Sequence, residues 1–383
     1  MKRGIIIGAG IGGLTTAIAL AQKNIAVKVY EQAAEVKEIG TGIWVAPNGL
    51  SVYEELGISS EISGAGKILE KISIVDLKYR PLSTIYGSEV QAKHQFKTVA
   101  IHRAVLQKIL LSHIPPENIF LNKKFKRHHQ TNNSILAEFE DGTTEEADFL
   151  INADGLKSNG RLQLNRALNL RYSGQTCWRF VTDFDLRSHE EGNMYEIWAN
   201  VRGLRVGYSK INERQVYVFI TNFEKAGGKD NLETLREDIL KLCADFPDII
   251  KHLITAVDVS DINRTDLFDF KPISNWIEGR AALIGDAAHA TTPNLGQGAC
   301  QAIEDAFVIA QELSKNADIE TCFKNFQQKR IKKATYITNI SWQFARITNT
   351  SGITKFFLKN ILRLTPNVIM QKQLDKIYSL EYR

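Results

Sequence analysis

The sequence predicts an α/β fold in which a parallel-sheet unit is divided by an inserted β-rich segment and followed by helices. Two strand–turn–helix patterns, beginning at Gly4 and Ala281, indicate the divided unit. Between them, residues 172–272 are richer in strand signals. The predicted division is 1–171 with 273–330 for the divided unit, 172–272 for the inserted unit, and 331–383 for the C-terminal helices.

The chain has 383 residues, of which 44 % are hydrophobic and 24 % charged, as in an average globular protein. This composition excludes collagen, coiled coils and intrinsic disorder, and the length suits one large domain or two interlocked ones. The net charge of +5 is too small to indicate nucleic-acid binding. The four cysteines lack C-x-x-C spacing, which predicts ordinary thiols rather than a disulfide framework or a metal site.

The sequence shows neither a signal peptide nor a membrane span. The apolar run Ile5–Ile7 is broken at once by glycines. No apolar stretch reaches the roughly 18 residues that a transmembrane helix needs. We therefore expect a cytoplasmic protein, either a monomer or a homodimer.

The N-terminal elements follow from hydrophobic periodicity. Gly4–Ile7 is a short run of β-branched residues, typical of a buried parallel strand. Apolar residues then recur at the helical spacing, at Ile11, Leu14, Ile18 and Ala21. A second strand, Ala26–Tyr30, follows and ends at Glu31.

The same criteria predict the later elements. Residues 135–153 are expected to form a hairpin, in which Asp141-Gly142 supplies the turn and Phe149–Ile151 the last strand. Further strands are predicted at 177–181, 204–209, 215–221 and 281–284, and helices at 49–56, 104–112, 232–246 and from 298 onwards.

The first motif with chemical meaning is the G-x-G-x-x-G pattern formed by Gly8, Gly10 and Gly13, with Gly12 as a fourth glycine. It follows a strand and opens a helix, where free N–H groups and the helix dipole favour a pyrophosphate. Glu31, at the end of the next strand, suits the ribose hydroxyls of an adenosine. This predicts a Rossmann-like dinucleotide site, and the motif alone does not separate NAD from FAD.

Two further motifs also follow predicted strands. Asp286 ends the strand at 281–284, where a carboxylate suits a polyol or ribityl hydroxyl, and Gly296 and Gly298 let backbone N–H groups approach a flat ring. Asp154-Gly155 follows the apolar run Phe149–Ile151 and begins a D-G-x-x-S-x-x-R pattern.

The three motifs, in this order and at this approximate spacing, resemble those of the class A flavoprotein monooxygenases, the para-hydroxybenzoate hydroxylase-like enzymes. Within that family the chain is most similar to FAD-dependent urate hydroxylases and salicylate hydroxylase-like members. The resemblance implies an FAD cofactor, NADH or NADPH as a transient co-substrate, and O₂. It also implies that a flavin C4a-hydroperoxide hydroxylates a small aromatic or heteroaromatic substrate in a dry pocket.

The resemblance also implies roles for individual residues. Gly12 would contact the pyrophosphate, and Glu31 and Gln32 the adenosine ribose. Arg103 would reach the FAD ribose and phosphate, for which a fixed cation is suited. The remaining residues implied in FAD binding are Trp44 at the flavin edge, Asp154 near FAD and the nicotinamide, Asp286 at the ribitol or pyrophosphate, Pro293 beside the ring, and Gly296, Gln297, Gly298 and Ala299 at its pyrimidine side.

Arg205 and Tyr217 are the candidate catalytic residues. They lie on two strands of a predicted hairpin around Asn212-Glu213, and strand parity places both on one face. The Arg…Tyr spacing also resembles that of the urate hydroxylases. An arginine could hold an anionic substrate oxygen, and a tyrosine hydroxyl could orient it.

Alternatives remain at this point. The same cofactor apparatus serves a tetracycline-inactivating monooxygenase, or a flavin-binding redox protein without turnover. The W-x-W-x-I-P motif of flavin halogenases is absent from the sequence. The late Gly285-Asp286 motif disfavours a plain NAD dehydrogenase. The expected partners are a small-molecule substrate and O₂, with no nucleic acid.

Overall fold

The computed structural model describes residues 2–35, 41–165, 169–186, 191–315 and 317–380. The strands are β1 (Arg3–Ile7), β2 (Ala26–Tyr30), β3 (Gly42–Val45), β4 (Lys67–Leu69), β5 (Lys71–Asp76), β6 (Pro81–Tyr86), β7 (Thr98–His102), β8 (Ile119–Phe120), β9 (Phe125–Gln130), β10 (Ile135–Phe139), β11 (Thr144–Ala147), β12 (Phe149–Asn152), β13 (Leu170–Asp183), β14 (Asn193–Trp198), β15 (Arg205–Lys210), β16 (Gln215–Phe223), β17 (Asn263–Phe270), β18 (Ile277–Glu278) and β19 (Ala281–Leu283). The helices are α1 (Ile11–Ala21), α2 (Pro47–Glu55), α3 (Ser59–Ala65), α4 (Gly87–His94), α5 (Arg103–Ser112), α6 (Asn159–Asn165), α7 (Leu235–Leu242), α8 (Asp248–Ala256), α9 (Asp286–His289), α10 (Gly298–Leu313), α11 (Ile319–Thr348), α12 (Gly352–Leu364) and α13 (Asn367–Tyr378).

The first sheet brings the three sequence motifs together. Its strand order is β18-β19-β12-β1-β2-β8, and β1, β12 and β19 run parallel to one another. Their carboxyl ends therefore meet at one edge of the sheet, the usual place for a ligand in an open α/β sheet. The loops that follow them begin at Gly8, Ala153 and Ile284. The predicted α/β fold class is confirmed.

The predicted hairpin at 135–153 differs from the structure in its last strand. β10 and β11 form the hairpin, but β12 leaves it and pairs in parallel with β1 and β19. Phe149, Leu150 and Ile151 are fully buried. A continuous apolar run that is buried on both faces suits an interior parallel strand better than a hairpin edge.

The second sheet has the order β17-β13-β16-β15-β14-β5-β6. It includes β5 and β6, which lie outside the range 172–272 predicted for the inserted unit. The predicted boundary at 171/172 falls inside β13, and the one at 330/331 falls inside α11. The predicted edges therefore do not coincide with the ends of elements, because hydrophobic periodicity marks individual elements and not the sheet that each strand joins, and the division itself stays a prediction.

The hairpin of β15 and β16 forms as predicted. It pairs Arg205 with Thr221 and Ser209 with Tyr217, in an antiparallel register. Helices α1 and α10 pack together near the motif edge of the first sheet, where the side chain of Ala302 approaches Gly12. No helix among the described residues combines the length and the apolarity needed to cross a bilayer.

Candidate functional site

A cavity of about 480 Å³ extends from the glycine-rich loop after β1 to the face of the second sheet. Residues from all three motifs line it, together with side chains from β13, β14, β15 and β16. The wall therefore joins a nucleotide-type edge to a polar and aromatic sheet face, which is the layout needed for a long cofactor and a small substrate.

The glycine-rich loop is shaped for close approach. A Cβ on Gly13 would lie 2.0 Å from the Gly8 carbonyl oxygen, so only glycine lets α1 begin this close to the loop. A Cβ on Gly10 would meet nothing within 4 Å, and Gly10 faces the cavity. The loop thus leaves free space at the N-terminus of α1, where the helix dipole favours an anion.

The Glu31 side chain fixes the glycine-rich loop through its hydrogen bonds to backbone N–H groups. One oxygen of its carboxylate accepts a hydrogen bond from the Ala9 N–H at 2.8 Å, and the other accepts one from the Ala33 N–H at 2.9 Å. Gln107 on α5 donates to the Ala9 carbonyl oxygen at 2.7 Å. The carboxylate predicted to bind a ribose therefore also fixes the conformation of the loop. Gln32, beside it, is exposed.

Charged groups line the middle of the cavity. Arg103, the first residue of α5, and Asp286, the first residue of α9, both contribute to the wall. A Cβ on Gly298 would lie 3.8 Å from the Asp286 carboxylate, an ordinary contact distance, so the start of α10 packs beside the acid. A cation and a carboxylate here suit the phosphates and hydroxyls of a dinucleotide.

The central D-G-x-x-S-x-x-R motif contributes residues to the cavity wall, while its Asp154 and Arg161 side chains lie outside the lining. Gly155 and Leu156 line the cavity, whereas the Asp154 carboxylate accepts a hydrogen bond from the Gly160 N–H at 3.2 Å. Burial raises the pKa of Asp154. Arg161, the last residue of the motif, is buried and donates to the Asp286 carbonyl oxygen at 3.2 Å, which ties the central motif to the late one.

Trp44 lies at the point where the two parts of the cavity meet. A Cβ on Gly296, which has a φ of +61°, would lie 3.3 Å from the Trp44 ring. The indole N–H donates to the Ser209 hydroxyl on β15 at 3.3 Å. The glycine backbone and the indole ring therefore form a flat, close-packed wall beside Pro293.

The predicted residue Gln297 points away from the cavity. Its side-chain oxygen accepts a hydrogen bond at 3.0 Å from Asn48, which also donates to the buried Glu304 at 2.7 Å. His289 is equally buried, and its Nε2 lies 2.5 Å from the Asp305 carboxylate. These contacts form a polar network beneath the loop, so both side chains hold the loop in place.

Arg205 lies in the cavity wall but is already paired. Its guanidinium donates to Glu196 at 2.7 Å, to the Asn294 side-chain oxygen at 2.7 Å and to the Thr221 hydroxyl at 3.1 Å. Glu196 also accepts a hydrogen bond from the indole of Trp198 at 2.7 Å. The charge of Arg205 is therefore balanced within the protein.

Arg179, on β13, is the second arginine of this wall. Its guanidinium interacts with the Tyr217 hydroxyl and the Cys177 thiol. Burial raises the pKa of Tyr217 to about 12, against the opposing effect of Arg179, and burial also raises the pKa of Cys177. Both neighbours are therefore neutral near pH 7, and among the described residues no carboxylate is found in an ion pair with Arg179.

The cavity unites most of the residues predicted from the sequence. Those in its wall are Gly10, Gly12, Trp44, Arg103, Arg205, Tyr217, Asp286, Pro293, Gly296, Gly298 and Ala299. The predicted residues that the structure places outside the lining are Gly8, Gly13, Glu31, Gln32, Asp154 and Gln297.

Arg179, Glu196 and Asn294 are wall residues that the motifs did not identify. Strand parity could have found the first two, because the register places odd positions of β13, β15 and β16 on the same face as even positions of β14. Asn294 lies within the late motif, between Pro293 and Gly296, and only its contact with Arg205 distinguishes it.

Comparison with known proteins agrees with this layout. The family model described as "FAD binding domain" matches residues 3–332. The chain is 34 % identical over 350 residues to the aurachin C monooxygenase/isomerase of Stigmatella aurantiaca, covering 91 % of this chain and 90 % of the relative. It is 30 % identical over 382 residues to the 2-heptyl-3-hydroxy-4(1H)-quinolone synthase of Pseudomonas aeruginosa strain PAO1, covering 98 % and 97 %.

A solved structure shows the same architecture. It is that of Klebsiella pneumoniae HpxO complexed with FAD and uric acid, which superposes with a TM-score of 0.91 at 27 % identity and covers 98 % of this chain and 96 % of that one. The resemblance to flavoprotein monooxygenases and the FAD cofactor predicted from the sequence are confirmed.

Proposed function

Because the chain belongs to the FAD-binding domain family and is an FAD-dependent oxidoreductase, we propose that it uses NADH or NADPH and O₂ to hydroxylate a flat heteroaromatic substrate that carries an acidic ring oxygen. The observation that carries the proposal is Arg179, which has neutral neighbours and lies beside Tyr217 at the sheet end of the cavity. Bound FAD supplies the redox chemistry and the activation of O₂.

The described residues fit FAD. Gly10 leaves room for a pyrophosphate at the N-terminus of α1, an 11-residue helix, and Gly12 lets α10 approach that end of the helix. Arg103 and Asp286, also in the cavity wall, would hold the phosphates and the ribityl chain. The flat wall around Trp44 suits the ring system. The predicted chemical route of oxygen transfer stays a prediction.

Three features of the wall support a flat, acidic substrate. Trp44 and Phe219 form an edge-to-face aromatic pair, with ring centroids 6.0 Å apart, that suits an aromatic plane. Arg179 supplies a cation with neutral neighbours, and such a charge in a secluded wall favours an anionic partner. The Tyr217 hydroxyl keeps its proton near pH 7 and can donate to the same oxygen.

The proposed roles of Arg205 and Arg179 differ from those predicted from the sequence. Arg205 was predicted to hold the substrate anion, but Glu196 already balances its charge. We assign anion binding to Arg179 and orientation to Tyr217. Arg205 then acts as a positioning residue that connects β15 to the late-motif loop through Asn294.

The test uses the purified flavin-loaded enzyme with two probes. One is uric acid, the ligand of the HpxO complex, and the other is 2-heptyl-4(1H)-quinolone, the 3-deoxy form of the product that names the Pseudomonas relative. We expect uric acid, whose ring-attached oxygens ionise, to accelerate NADH or NADPH oxidation and to yield a hydroxylated product. The quinolone, whose 4-oxo group is neutral at pH 7, should do so less, and hydroxylation of the quinolone alone would contradict the acidic oxygen. If neither probe is hydroxylated, while FAD is bound and reducible, the proposed substrate class is wrong.

Arg179→Gln tests the proposed anion contact. Loss of a charge-assisted hydrogen bond costs about 1.5–3 kcal/mol, so KM for the accepted probe should rise roughly ten- to a hundredfold. Coupling of product to NAD(P)H should fall, and FAD content should not change. The matched control is Arg214→Gln, an exposed arginine in the β15–β16 turn, which should leave both parameters unchanged. An unchanged KM in Arg179→Gln contradicts the assignment.

A further inference from the structure

The C-terminal helices expose an unusual amount of apolar surface. Seven large apolar side chains, each between 50 and 79 % exposed, lie on α12 and at the start of α13. We call them the C-terminal apolar patch: Ile353, Phe356, Phe357, Ile361, Leu364, Val368 and Ile369. Globular proteins seldom expose contiguous apolar patches of this kind unless they bind something there.

The patch is continuous along one side of α12. Ile353, Phe357, Ile361 and Leu364 recur at spacings of four, four and three, so they share one helical face. The rings of Phe356 and Phe357 lie in contact, with centroids 5.8 Å apart. Val368 and Ile369 extend the surface beyond Pro366.

The opposite side of α12 faces the protein and combines two lysines with the half-buried Leu358 and Leu362. Lys355 is buried and donates to the Val201 carbonyl oxygen, and burial lowers its pKa to about 8. Lys359 donates to the Trp198 carbonyl oxygen at 3.0 Å and to the Asn200 side chain at 2.8 Å. The helix thus departs from the usual amphipathic surface helix, because two lysines are directed inward while five large apolar side chains remain exposed.

Basic side chains border the patch on α13, and an exposed acid, Glu89 on α4, accepts hydrogen bonds from Asn367 and Gln371. Of the three basic residues of α12, Lys355 and Lys359 face the protein, and Arg363 lies 3.5 Å from the Asp76 carboxylate. On α13, Lys372 and Lys376 are exposed and follow the patch along the chain. The acid of α13, Asp375, is paired with Lys93 at 3.2 Å and with His94 at 3.1 Å, so it does not offset these lysines.

We propose that the C-terminal apolar patch docks on an anionic lipid bilayer surface, with α12 lying in the interface and the neighbouring basic residues facing lipid headgroups. A helix with a large apolar face and flanking lysines is suited to this position. A second copy of the chain fits less well, because a twofold contact through the patch would bring the two basic borders together.

The docked face lies next to the substrate end of the cavity. Lys359 binds the Trp198 carbonyl oxygen, and the Trp198 indole donates to Glu196 in the cavity wall. The proposal concerns the surface of the protein and does not depend on which substrate occupies the cavity.

Vesicle flotation with the purified flavin-loaded protein tests the proposal. We expect binding to vesicles of phosphatidylcholine mixed with phosphatidylserine, weaker binding to phosphatidylcholine alone, and a decrease with added salt. Phe356→Ser combined with Phe357→Ser should lower the partition coefficient at least about tenfold, because two aromatic side chains no longer enter the lipid. Lys372→Glu combined with Lys376→Glu should abolish the preference for phosphatidylserine.

The matched control is Leu232→Ser, which removes an exposed apolar side chain outside the patch and should leave binding unchanged. FAD content and thermal unfolding check that each variant is folded, and Leu364→Ser replaces the double variant if that one fails to fold. The proposal is wrong if the wild type does not bind phosphatidylserine vesicles, or if the patch variants bind equally well. It is also wrong if light scattering shows a wild-type dimer that the Phe356 and Phe357 variant converts to a monomer.

Discussion

The guanidinium of Arg205 lies 2.7 Å from the carboxylate of Glu196, and both side chains are buried in the wall of the cavity. The pair connects β14 to β15 beside the place where a substrate would bind. A buried ion pair is sensitive to the loss of either partner, because the remaining charge has no other compensation.

Removing one member of this pair should therefore destabilise the protein. Arg205→Met should lower the free energy of unfolding by about 3 kcal/mol, whereas Arg205→Met with Glu196→Leu should recover most of the loss. Urea unfolding at constant excess FAD measures both. The comparison pair is Arg214–Asp183, which is exposed and 3.5 Å apart, and Arg214→Met should cost less than about 1 kcal/mol. Equal losses in the single and double variants would show that the ion pair is not the cause.

Gly10→Ala separates the stability of the glycine-rich loop from cofactor binding. Without FAD, a Cβ at Gly10 meets nothing within 4 Å, so unfolding of the apoprotein should change by less than about 0.5 kcal/mol. The same methyl group would enter the space that a pyrophosphate needs, and Kd for FAD should rise about tenfold or more. Titration of apoprotein with FAD measures this, and Gly64→Ala, at another unobstructed glycine, is the control. A normal Kd would place the pyrophosphate elsewhere.

Glu31→Ala should weaken FAD binding through the loop itself. The change removes the hydrogen bonds to the Ala9 and Ala33 N–H groups, of 2.8 and 2.9 Å, and any contact with the ribose. A charge-assisted hydrogen bond contributes about 1.5–3 kcal/mol, so Kd should rise roughly ten- to a hundredfold. Glu117→Ala, at an exposed acid in a short three-ten helix, serves as the control. Flavin content that survives dialysis as in the wild type would contradict this prediction.

His128 makes the protein sensitive to acid. It is buried on β9, and burial lowers its pKa to about 4. The unfolded chain binds a proton at this histidine near pH 6.5, whereas the folded protein binds it only near pH 4. The unfolded state therefore binds more protons between these values, and the free energy of unfolding falls as the pH is lowered through this window.

His128→Gln should reduce the fall in the free energy of unfolding between pH 7 and pH 4 by up to about 3 kcal/mol, because the variant has no imidazole to protonate. The measurement is urea unfolding of the variant and the wild type at pH 7 and near pH 4. His252→Gln is the matched control, because its side chain is exposed on α8, far along the chain from β9, and the variant should keep the wild-type pH dependence. A His128 variant that loses as much stability in acid as the wild type would exclude this histidine as the source.

The sequence by itself determined the parts that depend on local spacing. The three motifs follow the strands β1, β12 and β19, and parallel strands place their carboxyl ends at one edge, so the site could be located before any contact was known. Strand parity likewise brought Arg205 and Tyr217 into one wall. These features follow from backbone periodicity, which acts over a few residues.

Only the tertiary structure decided which side chains are already paired. Glu196 and Asn294 neutralise and hold Arg205, whereas Arg179 has neutral neighbours and keeps its charge available. The Gln297 side-chain oxygen accepts a hydrogen bond from Asn48, which is 249 positions away in the chain. The Gln297 side chain therefore belongs to the buried polar network and not to the cavity wall. Such partners come from different elements, and packing rather than sequence spacing sets the distance between them.

The orientation of the C-terminal helices is likewise a property that the sequence did not predict. Their periodicity predicts amphipathic helices in 331–383, of which residues 331–380 are described, but periodicity does not say which face a helix turns to the protein. In α12 two lysines donate to backbone carbonyls at and just after the end of β14, whereas five large apolar side chains remain exposed. The contacts available on the neighbouring sheet decided that orientation, because buried ammonium groups must have hydrogen-bond acceptors, whereas apolar side chains can remain exposed at a smaller cost.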